Sequence, residues 1–269
     1  MDKKVVLVTG GSSGIGKSIG TYLTKKGYKV FGTTRNPEKY DGFDAFQLLA
    51  LDVRLPESVE KAVATVIAKA GRIDILINNA GVGITGPVEE TPHAEILNVF
   101  DTNVHGPVHM IKAVLPQMRK QGGGLIINIT SIAGFMGLPF RAYYSASKGA
   151  LALITEALRM EARNFGISIT NLAPGDFATN IASGRYHAPI KQGSPYESSY
   201  KKSLDLMDAH VDSGENPVLV AHKVYRIIQK THPAVHYPVG VFMQRLSLVL
   251  KRILPDKVYE RLLLNHYKL

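Results

Sequence analysis

Two textures of apolar residues alternate along the chain. Six short runs, Val5 to Val8, Lys29 to Thr33, Ala45 to Leu51, Ile73 to Ile77, Leu125 to Ile129 and Ile167 to Leu172, have strand length and are apolar through most of it. Strands buried on both faces read this way. Between them lie longer segments with helical spacing. After Pro56, which suits a first helical turn, Val59, Ala62, Val63, Val66 and Ile67 recur three, four, seven and eight residues apart, one face of a helix. Pro92 to Met118 and Arg141 to Phe165 read as two long helices, and Gly122-Gly123-Gly124 punctuates the turn after the first. The alternation predicts an α/β fold, a parallel sheet covered by helices on both faces.

Beyond Pro174-Gly175 the texture changes. From Ala182 to Asn216, Gly, Ser, Pro, Tyr and charges replace the strand pattern, as in a lid or substrate loop. Residues 217–269 are expected to supply C-terminal helices and a last strand. There Phe242, Leu246, Val249, Leu250 and Ile253 fall at helical spacing beside Arg245, Lys251, Arg252 and Lys257, a basic amphipathic helix. A helix covering a pocket or a subunit interface is the favoured reading, and peripheral membrane contact the less favoured one.

Composition narrows the partners. The 269 residues, 45% hydrophobic and 20% charged, suit one soluble domain (1–269) whose first 180 residues form its core. The absence of cysteine excludes disulfides, thiolate metal sites and a Cys nucleophile; no metal is expected. The opening run Val5 to Val8 is too short for a signal peptide, and no long apolar run suggests a membrane span, so a cytoplasmic protein is expected. The net charge of +10 is scattered, without a basic stripe interleaved with aromatics, so no nucleic-acid partner is expected.

The first strand runs into Thr9-Gly10-Gly11-Ser12-Ser13-Gly14-Ile15-Gly16, and Ile15, Ile19, Tyr22 and Leu23 then share a helix face. A strand, a glycine turn and a helix N-terminus bring free amides to a pyrophosphate, with Gly10, Ser12, Ser13, Gly14, Ile15 and Gly16 as its backbone. The spacing is G-x-x-x-G-x-G. About 20 residues on, where a dinucleotide fold reads the adenosine ribose, the second strand ends Gly32-Thr33-Thr34-Arg35-Asn36 without an acid. Arg35 there favours the 2′-phosphate of NADP(H) over NAD.

Tyr144-Ser145-Ala146-Ser147-Lys148 puts a phenol and an ammonium on one helix face. A tyrosine, with an unperturbed pKa of about 10, can exchange a proton with a carbonyl or alcohol when positive charge lies near. The spacing alone is weak evidence, because Tyr22 and Lys26 repeat it on a helix face that looks structural. Ser131 distinguishes Tyr144: it lies 13 residues earlier, at the end of the strand Leu125 to Ile129. Tyr143 is expected to pack or to lie in an interface.

With these residues in place, the chain resembles the short-chain dehydrogenase/reductase family from Lys4 to Thr179, in order. The resemblance rests on Thr9-Gly10-x-x-x-Gly14-x-Gly16, Leu51-Asp52-Val53, Asn78-Asn79-Ala80-Gly81, Asn103, Ser131, Tyr144-x-x-x-Lys148 and Pro174-Gly175-x-x-x-Thr179. It implies a single Rossmann-like, doubly wound domain in which Ser131 positions the substrate oxygen and Tyr144 transfers the proton. Lys148 would bond the nicotinamide ribose and depress the Tyr144 pKa, and Asn103 would hold a relay water. Asp52 and Val53 would contact the adenine, Asn79 and Gly81 the adenosine-side ribose region and Thr179 the nicotinamide amide, with Ala80, Pro174 and Gly175 also among the cofactor contacts. Many NADP-preferring members carry a basic residue in the glycine motif where this chain has Ser12 and Ser13, so the preference rests on Arg35.

Val82 to Thr85, Ile132 to Phe140 and the lid are the expected substrate-facing segments. The middle one is an apolar wall without Arg or Lys, which favours a steroid-, retinoid- or lipid-like alcohol or ketone. The alternatives are a 3-oxoacyl-carrier-protein reductase, for which the positive charge would suit an acidic partner, and a non-catalytic NADP(H) sensor or scaffold. By resemblance, a homo-oligomer, dimer or tetramer, is expected through the two long helices.

Overall fold

The computed structural model describes residues 3–177, 184–212 and 214–269, without the side chains of 208–212. Its strands are β1 (Val5–Val8), β2 (Lys29–Thr34), β3 (Gln47–Ala50), β4 (Ile75–Asn78), β5 (Ile84–Thr85), β6 (Gly124–Ile129), β7 (Ile167–Pro174), β8 (Tyr186–His187) and β9 (His236–Val239). Seven of them form one parallel sheet in the order β3-β2-β1-β4-β6-β7-β9, and β5 pairs with β8 apart from it. The order reverses at β1, which lies between β2 and β4. A crevice opens beyond the strand ends at such a switch point.

Alternation along β1 explains the layers. Val5 and Leu7 pack with α2 (Pro56–Ala70) and α4 (Gly106–Lys120) on one face, while Val6 and Val8 pack with α1 (Gly14–Lys25) and α7 (Val218–Ile228) on the other. Tyr22 and Lys26 serve this second layer. The Tyr22 ring meets Tyr225 at 5.7 Å, and the Lys26 ammonium lies over both rings.

A buried amide row fixes the end of the sheet nearest the site. Asn78 donates to Asn128 (2.8 Å), which donates to Thr155 of α5 (Ala142–Glu161; 2.8 Å), and Asn171 donates to the Ala152 carbonyl (3.2 Å). The three asparagines are neighbours in register across β4, β6 and β7. They anchor the helix that carries Tyr144 and Lys148.

Three segments differ from the pattern read in the sequence. The helix expected over Pro92 to Met118 is α3 (His93–Phe100) and α4, joined by a π-helical turn, Asp101–His105, whose closing bond runs from the Gly106 N–H to the Asp101 carbonyl. Pro107 has no N–H to give to the carbonyl four residues back, which opposes uninterrupted α-helix there. The expected lid contains α6 (Glu197–Asp212), whose Tyr200, Ser203 and Met207 are buried. The basic C-terminal helix is two helices, α8 (Phe242–Ile253) and α9 (Asp256–Tyr267), broken at Leu254-Pro255, with Lys257 on the second.

Candidate active site

The glycine turn is locked from below. The buried Thr9 hydroxyl accepts the Asn79 and Ala80 N–H groups (2.9 and 3.0 Å), and the Asn79 amide donates to the Thr9 and Gly10 carbonyls (2.9 and 3.1 Å). Gly10 has φ +64°, which favours glycine. At Gly16 a β-carbon would collide with the Gly10 carbonyl. Ser13, at the N-cap of α1, makes no side-chain cap bond, and the first turn holds no acid. The free amides of that turn border a cavity of about 320 Å³ and meet no acid on their own helix, which fits a dinucleotide phosphate.

Of the residues expected to bind the cofactor, Gly10, Ser12, Ser13, Gly14, Ile15, Arg35, Asp52, Val53, Asn79, Ala80 and Gly81 all line this cavity. Gly16 stands behind it as the close-packing position. Sequence reading missed Tyr40 and Arg54, which also line it. Arg54 pairs with Asp52 (2.6 Å) and donates to Asn98 (3.1 Å). Hydrogen bonding from Arg54, with Arg35 adding its charge, holds the Asp52 carboxyl below its ordinary value. This end of the cavity thus presents two guanidiniums against one carboxylate.

At the other end a cavity of about 70 Å³ joins Ser131, Tyr144, Lys148, Asn79, Pro174 and Gly175. Ser131, the first residue but one after β6, accepts the Ala133 N–H (3.1 Å) and donates to the Pro174 carbonyl (3.4 Å). Tyr144 and Lys148, one turn apart on α5, are 9% and 5% exposed. The Lys148 ammonium donates to the Ile129 carbonyl at the end of β6 (3.0 Å). Burial lowers its pKa, and Tyr144 opposes that shift. Asn103 lies in the π-helical turn; its amide accepts the Val82 N–H (2.9 Å) and donates to the Val82 carbonyl (2.9 Å) and the Ser147 hydroxyl (3.1 Å). Gly81 fits between Asn103 and Lys148. Thr179 lies outside the described residues.

Beyond Ser131 a third cavity, about 360 Å³, is walled mostly by apolar groups. Ile132, Ala133, Met136 and Leu138 line it, as the sequence suggests; α8 and α9 close it with Leu250, Tyr259 and Leu263 among others. Charge is not absent from its rim. Arg141, Asp176 and Arg185 line both this cavity and the smaller one. The Arg141 guanidinium lies 5.2 Å from the Tyr144 ring centroid. Burial raises the pKa of Tyr267, from the end of α9, and Arg141 opposes the rise by charge and hydrogen bonding. Of the segment Val82 to Thr85, Val82 borders the cofactor cavity, whereas Thr85 is buried in a bond from the Tyr200 hydroxyl (3.1 Å), so it braces the lid. Tyr143 packs beside Tyr144 and donates to the Val88 carbonyl (3.0 Å).

A family model described as "short chain dehydrogenase" matches residues 4–189. The chain belongs to the short-chain dehydrogenase/reductase family, and with it to the oxidoreductases that act on carbonyl and alcohol groups. It is 38% identical to a 3-ketodihydrosphingosine reductase of Bacteroides thetaiotaomicron, covering 97% of this chain and 96% of that one. To human retinol dehydrogenase 8 it is 33% identical, covering 86% and 79%. Among solved structures, a short-chain dehydrogenase from Streptomyces avermitilis superposes with a TM-score of 0.84 at 30% identity, covering 100% of this chain and 97% of that one. A 3-ketoacyl-(acyl-carrier-protein) reductase from Brucella melitensis, complexed with NADH, does so at 0.73 and 25%, covering 88% and 96%.

Proposed function

We propose that the protein is an NADP(H)-dependent reductase and dehydrogenase that interconverts an apolar, lipid-like carbonyl and its alcohol. The observation that carries this reading is the junction of two cavities at Ser131: a small one lined by Tyr144 and Lys148, and a larger, mostly apolar one closed by α8 and α9. The nicotinamide, when bound, supplies or takes the hydride. The chain's own groups do the rest.

The Ser131 hydroxyl, held by the Ala133 N–H, turns its one proton from the Pro174 carbonyl to the substrate oxygen. Tyr144 gives its phenolic proton to that oxygen in reduction and takes it back in oxidation, and the buried Lys148 ammonium meets the charge that develops on the phenol. Asn103 has its amide clamped on Val82 and Ser147, which leaves a second lone pair on Oδ1 to hold the relay water. Arg35 and Arg54 favour the 2′-phosphate of NADP(H), and the 3-ketodihydrosphingosine and retinol named for two relatives define the first substrates to try. Leu153 and Met160, seven apart and exposed on α5, support self-association through that helix.

An acyl-carrier-protein substrate is the second reading, favoured by the Brucella melitensis neighbour. NADPH and NADH absorbance with long-chain ketones, retinoids, 3-oxoacyl thioesters, sugars and hydroxy acids separates them. Turnover of apolar ketones with NADPH, lost in Tyr144→Phe while NADPH binding survives, is expected. Faster turnover of sugars or hydroxy acids overturns the apolar reading, and NADPH binding without turnover of any carbonyl points to a sensor.

A further inference from the structure

Large apolar side chains left exposed among the described residues concentrate at one end of the chain: nine of eighteen lie between Val241 and Leu269. On α8, Phe242, Val249 and Ile253, seven and four residues apart, form one stripe and are 66%, 51% and 68% exposed. Arg245 and Arg252, also seven apart and exposed, run beside it. On α9, Val258 and Leu262 repeat the arrangement next to Arg261. From Phe242 to Leu269 six Lys and Arg face two acids, a net charge of +4. The large cavity borders this end of the chain, because Met243 and Leu262, 66% and 45% exposed, are among its lining residues.

We propose that α8 and α9 dock on a bilayer that carries anionic headgroups. An α-helix of twelve residues is about 18 Å long against a hydrocarbon core of about 30 Å, so α8 lies along the surface and does not span it. The apolar stripe enters the acyl boundary, and the flanking arginines reach the phosphates. A second copy is a poorer occupant: it would set one +4 face against another, and α5 offers a different apolar stripe for self-association. Docking stands on the surface alone. Its use, transfer of an apolar substrate from bilayer to cavity without passage through water, rests on the function proposed above.

Flotation of the full chain with vesicles of phosphatidylcholine, with and without phosphatidylglycerol, at low and high salt, tests the docking. Binding is expected with phosphatidylglycerol and should fall with salt. Reversing Arg245 and Arg252 together to Glu should weaken it by about tenfold or more, as should Phe242→Ser with Ile253→Ser. Leu153→Ser with Met160→Ser should leave it unchanged, and so should Tyr144→Phe, which separates docking from turnover. NADPH binding by each variant checks its fold. Absence of flotation, equal binding by the Arg245→Glu/Arg252→Glu variant, or flotation unchanged while Phe242→Ser with Ile253→Ser breaks an oligomer in light scattering would each overturn the proposal.

Discussion

Replacing Lys148 with methionine should stabilise the cofactor-free protein while nearly abolishing its activity. The ammonium is almost wholly buried, with the Ile129 carbonyl as its hydrogen-bond acceptor and Tyr144 as its neighbour. An ion taken out of water costs several kcal/mol even after the protein relaxes. Methionine has nearly the same length and removes that cost, but it leaves the Ile129 carbonyl without this donor, a loss of about 1–3 kcal/mol. The difference is a gain of about 1–2 kcal/mol, which raises Tm by roughly 2–8 °C in a chain of this size.

The sign with pH follows from the direction of the shift. Burial sets the folded-state pKa of Lys148 below its ordinary value of 10.5, so between those two values the unfolded chain binds a proton that the folded one has shed. Wild-type stability therefore gains from this group as pH rises through that window. The Lys148→Met variant lacks the gain, and the gap between the two melting curves should close as pH approaches 10.5. Thermal melts of both forms at a series of pH values, with NADPH turnover at neutral pH, measure this. Turnover should fall by about 100-fold or more. A lower Tm for the variant at neutral pH, or a gap that does not change with pH, would refute the account of Lys148 as a cation held against its solvation.

Three further changes probe the rest of the site. Gly81→Ala puts a β-carbon 3.1 Å from the Asn103 amide oxygen and 3.3 Å from the Lys148 ammonium; a displacement of a few tenths of an ångström should cost about tenfold in kcat, read from steady-state kinetics, with little change in Tm. Arg35→Ala should raise the Kd for NADPH by about tenfold and leave that for NADH nearly unchanged. Arg54→Ala should do at least as much, since it also leaves the Asp52 carboxylate without its partner facing the phosphate site; fluorescence titration of both cofactors reads the two.

The grouping of the candidate site residues was readable because local geometry demands them: the turn needs Gly10 and Gly16, and the Tyr144 to Lys148 spacing brings two side chains together only on a helix. The π-helical turn was less visible, although Gly106-Pro107 within the apolar pattern was its signal. The lid helix hid its buried Tyr200, Ser203 and Met207 among Ser198, Lys201, Lys202 and Asp205, which face solvent. Arg54 stood two residues after the Asp52 motif and could have been weighed. Tyr267 carried no local signal at all; it reaches Arg141 across more than a hundred residues of chain, and only the packing of α9 brings them together.

The matched family model ends at residue 189, yet α8 and α9 begin at Phe242 and wall the cavity where the substrate is expected. The cavity therefore takes one wall, Ser131 to Arg141, from the matched region and the other, Met243 to Tyr267, from beyond it. Substitutions in the second wall can reshape the cavity without touching the glycine turn or the face of α5 that carries Tyr144 and Lys148.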